Sequence, residues 1–226
     1  MTLDDEEARQ SRRTRHEQEL ARLLALSDGV FAIAITLLVL QLTVPEISGR
    51  GIGSQLAGQL LSAVPKIVTY CIGFAVIALF WLGHRRVFFY IVRSDAVLTF
   101  LNLGLLLCVA FMPFPTAILS LYGETAVAVI FYTSTLTVAG LLNLVLWLWA
   151  ASGHRLIRAD VSDRLIRNHS WRACISPAVF LASMPLALWS PTIAEMSWLS
   201  ILVISVVFRR VLGVEEAHPA PVSHRR

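Results

Sequence analysis

The residue best placed to do chemistry in this sequence is an aspartate inside an apolar run. The segment Arg22-Leu-Leu-Ala-Leu-Ser27-Asp28-Gly-Val-Phe-Ala-Ile33-Ala-Ile-Thr36-Leu37-Leu-Val-Leu40 carries its only carboxylate near the start of a long hydrophobic stretch. A charge at bilayer depth costs at least ~2.5–3.5 kcal/mol on insertion scales, so such a group is normally paired and often functional. Three roles fit Asp28. It could bind a proton or sodium ion in a coupled transporter. It could belong to a polar network reaching another helix or subunit. It could also sit in a first helical turn capped by Ser27, where the helix dipole favours a carboxylate. The other reactive types offer less. His84, His154 and His169 stand at the ends of apolar stretches, with no second histidine or carboxylate spaced to make a metal site. Cys71, Cys108 and Cys174 are single and read as buried free thiols. G-x-S-x-G, H-E-x-x-H, P-loop and C-x-x-C motifs are absent, so neither an enzyme nor a cofactor is expected.

The elements that must position Asp28 are membrane helices. The 226 residues are 56% hydrophobic and 15% charged, with mean hydropathy +0.69, whereas soluble domains are about 25% charged. Six stretches approach the ~20 apolar residues a spanning helix needs. They are Ala25–Val44, Ser62–Leu82, Ala96–Ile118, Thr125–Ala150, Ala173–Trp189 and Thr192–Phe208. The last two are short and meet at Ser190-Pro191. Period-two alternation is missing, which argues against a membrane β-barrel. The expected architecture is all-α: a cytoplasmic segment over 1–24, a six-helix transmembrane domain over 25–208 and a cytoplasmic tail over 209–226. Ser152–Arg172 mixes charges with Leu156, Ile157, Val161, Leu165 and Ile166, which predicts an amphipathic helix or helical extension at the inner surface. No internal repeat emerges.

Orientation follows from the basic residues. With six spans, 17 of the 19 Lys and Arg fall on one side, leaving only Arg50 and Lys66 opposite. The positive-inside rule places that side, and both termini, in the cytoplasm. The same bias explains the sequence pI of 9.3 without nucleic acid. All basic residues but Lys66 are arginine, which leans toward a GC-rich bacterial genome and an inner-membrane location.

The first span has two distinct sides. At ~100° per residue and with Ile33 at 0°, Leu37 falls at about 40°, Leu40 at about −20°, and Leu26 and Val44 at about 20°. These form one aliphatic stripe. Thr36 flanks it at about −60°, while Ser27 and Asp28 point away at about 120° and −140°. Such a stripe by itself marks a helix–helix or helix–lipid face.

The Arg22-x5-Asp28 spacing, with Ser27 before the aspartate, resembles the signature of the transmembrane protein 175 potassium channels. Leu26 stands where that family usually has Phe. Phe80-Trp81-Leu-Gly-His84-Arg85 is similar to the end of its second helix, and Asn102 with Pro113-Phe114-Pro115-Thr116 to its third. The resemblance covers roughly residues 20–117, as far as the third span. It implies a homotetramer whose four first helices line a pore for monovalent cations, with potassium the expected permeant ion. It implies Ile33, Leu37 and Leu40 as the pore constriction and Thr36 as a polar contributor beside it. Arg22, Ser27, Asp28, His84 and Asn102 become the supporting network behind the pore.

No T-V-G-Y-G carbonyl filter occurs, and arginine is confined to loops and helix ends, so neither that filter nor a voltage-sensing span is present. A ring of Ile or Leu can still gate by dewetting. Glu46, Glu124 and Glu195 lie at the outer side, where they could concentrate cations, and read first as solvated surface carboxylates. The competing classes are a secondary transporter coupled through Asp28 and a membrane scaffold that transports nothing.

Overall fold

The structure is a computed structural model that describes residues 3–44, 47, 52–201 and 204. Among these it is all-helical, with one isolated bridge between Ile91 and Ile157. Helix α1 spans Leu3–Leu37 and ends in a 3-10 turn over Leu38–Gln41; α2 spans Ile52–Phe88 and α3 Ala96–Phe111. Then come α4 (Pro113–Tyr122), α5 (Ala126–Ala151), α6 (Asp163–Trp189) and α7 (Pro191–Ser197).

Five segments are long and apolar enough to cross a bilayer: Thr14–Gln41, Ile52–Phe88, Ala96–Tyr122, Ala126–His154 and Asp163–Trp189. They correspond to the first five expected spans. α7 occupies the start of the sixth; 202–203 and 205–208 lie outside the described residues, as do the 209–226 tail, Glu46 and Arg50.

Several boundaries differ from expectation for physical reasons. The polar segment before residue 25 continues the first span as one helix. Ser27 is therefore mid-helix, which removes the capping role: its hydroxyl donates to the Leu23 carbonyl at 2.8 Å. α2 begins ten residues before Ser62, because Gly, Ser and Gln dilute the hydropathy there without stopping a helix. At 37 residues and 1.5 Å rise it is about 55 Å long, against ~30 Å of hydrocarbon. The third span breaks at Met112, where Pro113 and Pro115 withdraw two backbone donors. The 152–172 segment opens in a 3-10 turn over Ser152–His154 and is α-helical only from Asp163, where Ser162 caps α6 by accepting from the Leu165 amide. Between the two it is loop: Val92 donates to the Leu156 carbonyl at 2.8 Å and Arg158 to the Tyr90 carbonyl at 3.0 Å.

α5 is the central helix of the bundle, packed on α3 and α6. Gly140 lets α6 approach: a Cβ there would stand 3.3 Å from the Pro177 ring. The buried side chains fall into two clusters. One contains Phe31, Leu38, Ile77, Leu105 and Tyr132; the other, toward the arginine-rich end, contains Leu23, Phe88, Leu98, Trp147 and Ile157.

Candidate functional site

Three helices bring one polar residue each to the seam between those clusters. On α1 the buried face reads Leu23, Ser27, Phe31, Ala34, Leu38; on α2 it includes Gly73, Ile77, His84, Phe88; on α3 it includes Leu98, Asn102, Leu105, Val109. Each series keeps the three- and four-residue spacing of one helix face. Ser27, His84 and Asn102 therefore arrive at one depth, and all three are fully buried.

They form a directed chain of hydrogen bonds. His84 Nε2 lies 2.8 Å from Asn102 Oδ1, an acceptor, so the ring donates. Asn102 Nδ2 donates to Ser27 Oγ at 3.0 Å, and Ser27 donates onward to the Leu23 carbonyl. The His84 ring packs between Phe88, 4.3 Å between centroids, and Phe31, at 5.5 Å. His84 Nδ1 is left buried without a hydrogen bond. Through Nε2 the ring ties three helices together.

Asp28, one residue on, is exposed within the chain and accepts from Trp81 Nε1 at 2.8 Å. The Trp81 ring in turn carries the Arg85 guanidinium 4.9 Å from its centroid. The carboxylate's partner is thus an indole of α2. Arg22 does not join Ser27 or Asp28 within the chain. It lines an open cleft of about 440 Å³ with Glu19, Leu26, Ser94, Asp95 and Thr99, at the start of α3.

The stripe residues lie on the opposite side of α1. Ile33 is 60% exposed, Leu37 41% and Leu40 74%, while Leu38, among them in sequence, is 0%. Thr36 is exposed and donates to the Ile33 carbonyl at 2.9 Å, so its hydroxyl is engaged with its own helix. Leu38 points inward, to a junction where a Cβ at Gly73 would stand 2.8 Å from Thr116 Cγ2 and 3.5 Å from Leu38 Cδ1.

Among the described residues no three His, Cys, Asp or Glu side chains converge as a metal-binding set. The cysteines are free, but none is buried as expected: Cys108 and Cys174 are half-buried, and Cys71 is exposed because it faces away from the bundle on the loosely covered α2. Three partners escaped the sequence reading. Trp81 was within its view, three residues before His84; Phe31 and Gly73 could have been found by following the buried helical spacing through Ser27 and His84.

The chain is similar to several known proteins. The family model described as "Endosomal/lysosomal potassium channel TMEM175" matches residues 22–113. A potassium channel of Chamaesiphon minutus is 33% identical over 189 residues, covering 82% of this chain and 89% of that protein. A potassium channel of Streptomyces collinus is 46% identical over 104 residues, 46% of this chain and 49% of that protein. The crystal structure of a lysosomal potassium-selective channel TMEM175 homolog from Chamaesiphon minutus matches with TM-score 0.70 at 29% identity, over 87% of this chain and 100% of that one.

Proposed function

This chain belongs to the TMEM175 potassium channel family, and on that premise we propose that it is a potassium-conducting cation channel of a bacterial inner membrane. Four copies assemble around one axis, each supplying its first span to a central pore. Ile33, Leu37 and Leu40 form the constriction, with Thr36 beside it. Ser27, His84 and Asn102 hold the pore helix from behind, joined through α2 by Asp28 and Trp81. Each chain crosses the bilayer six times, α7 opening the sixth span, and both termini are cytoplasmic by the positive-inside rule.

The observation that carries this reading is the contrast across α1. Its inward face is filled and its polar groups are bonded, while its outward face presents exposed aliphatic side chains in a line. A single helix cannot enclose a pore, so a pore along this stripe requires other copies. A ring of such side chains excludes ions by dewetting when narrow and passes partly hydrated cations when wider. Asp28 serves the framework in this scheme: its bonded oxygen accepts from Trp81.

Purified protein reconstituted in liposomes tests the reading. Passive potassium flux exceeding sodium flux, with no coupled proton or sodium gradient, is expected. Flux that requires such a gradient, or a native mass showing only monomers, would overturn it.

A further inference from the structure

Gln41 is a polar side chain at the outer end of the pore helix, and the proposed channel has so far given it no task. Its Nε2 donates to the Pro113 carbonyl at 2.6 Å, across 72 residues of sequence. We infer that Gln41 is a positioning residue for the constriction: its bond to Pro113 holds the last turn of the first span in 3-10 winding and so aims Leu40. This rests on the pore assignment above.

The winding decides where Leu40 points. An α-helix turns ~100° per residue, which places Leu40 about 60° away from Leu37 around the axis. A 3-10 helix turns ~120°, so residues three apart eclipse. Over Leu38–Gln41 the winding is 3-10, and it continues in the bond from the Leu42 amide to the Val39 carbonyl at 3.0 Å. Leu40 therefore stands over Leu37, on the exposed side, and Gln41 stands over Leu38, on the inward side. Their burial agrees: Leu40 is exposed and Gln41 half-buried.

The acceptor sits at the break in the third span. Pro113 and Pro115 lack N–H groups, so the α3 ladder closes early, with the Met112 amide on the Val109 carbonyl at 3.1 Å. The chain steps aside at Pro113, and a carbonyl has a second lone pair for a side-chain donor. Close by, Leu38 and Thr116 meet at Gly73. That apolar junction sets where the helix end sits, and the amide sets how it is wound. Without the bond the turn can relax to α-helix, rotating Leu40 by about 60° and shortening four residues by about 2 Å.

The test is a double-variant cycle on reconstituted channels, reading the potassium-over-sodium permeability ratio. Gln41→Met keeps length and removes the donor; its ratio should fall by about two- to tenfold, the population shift that one net hydrogen bond commands. Leu40→Ala should lower the ratio by itself. In the Leu40→Ala background Gln41→Met should change nothing further, because Gln41 acts through Leu40. A wild-type ratio for Gln41→Met beside an altered Leu40→Ala would overturn the inference and leave the pore standing. An unaltered Leu40→Ala would remove the pore assignment itself. Gln41→Asn, which withdraws the donor by one methylene, is the milder variant. Failure of both Gln41 variants to assemble would also overturn the inference, making Gln41 a folding residue.

Discussion

On its inward face α1 carries Leu23, Ser27, Phe31, Ala34 and Leu38, all buried, with Ser27 bonded to both Leu23 and Asn102. On its outward face it carries Ile33, Leu37 and Leu40, all exposed and all aliphatic. The same helix thus serves two solvents. Inward, an orphaned donor in low dielectric costs about 1–3 kcal/mol, so hydrogen bonding specifies one arrangement of three helices. Outward, in the proposed pore, uniform apolar side chains would leave the constriction to be set by size and wetting. Stability and selectivity should then be separable, and substitutions on the two faces should report different quantities.

Asn102→Leu should have the largest effect. It removes the acceptor of His84 and the donor to Ser27, both fully buried. A loss of about 1–3 kcal/mol is expected from the orphaned His84 donor, Ser27 keeping its bond to the Leu23 carbonyl, seen as a lower unfolding midpoint in detergent. A midpoint like the wild type's would show that the inward network holds nothing together.

Gly73→Ala comes next. The new methyl would stand 2.8 Å from Thr116 Cγ2, and overpacking costs about 1–3 kcal/mol, partly offset by the ~1 kcal/mol helix preference of Ala over Gly. Adding Thr116→Ser, which deletes that methyl, should restore thermal stability; failure of the rescue would place the strain elsewhere.

Asp28→Ala lies at the boundary between the faces. It leaves Trp81 Nε1 without its acceptor, at about 1–2 kcal/mol, and should reduce the tetramer fraction on native mass measurement while leaving permeability ratios intact. A normal tetramer with altered ratios would move Asp28 to the ion path. Thr36→Ala should have the smallest effect, within about 0.5 kcal/mol of wild-type stability, because its hydroxyl bonds only to its own helix. A large fall in conductance would show that the hydroxyl turns toward permeating ions.

The sequence carries some of this contrast openly. Hydropathy locates five spans because length and apolarity are local properties, and the angular stripe separates Ile33, Leu37 and Leu40 from Ser27. The pairing of residues is less legible. Asp28 meets Trp81 and Ser27 meets Asn102 through the way α1, α2 and α3 pack, which no spacing within one helix encodes. Arg22 illustrates the limit: six residues from Asp28 in the motif, it turns to the cleft beside Asp95. The 3-10 turn at Leu38–Gln41 is hidden for another reason, since Leu-Val-Leu-Gln suits an α-helix equally and the winding depends on contacts with the third span.

The central claim, that the outward face of α1 is the ion path, is tested most directly by one permeability ratio. Channels carrying Ile33→Ala, Leu37→Ala and Leu40→Ala together should still assemble, because these side chains are exposed and outside the buried clusters. Their potassium-over-sodium ratio should fall toward unity as the constriction widens. An unchanged ratio in an assembled, conducting variant would contradict the account and move the pore to another face of the molecule.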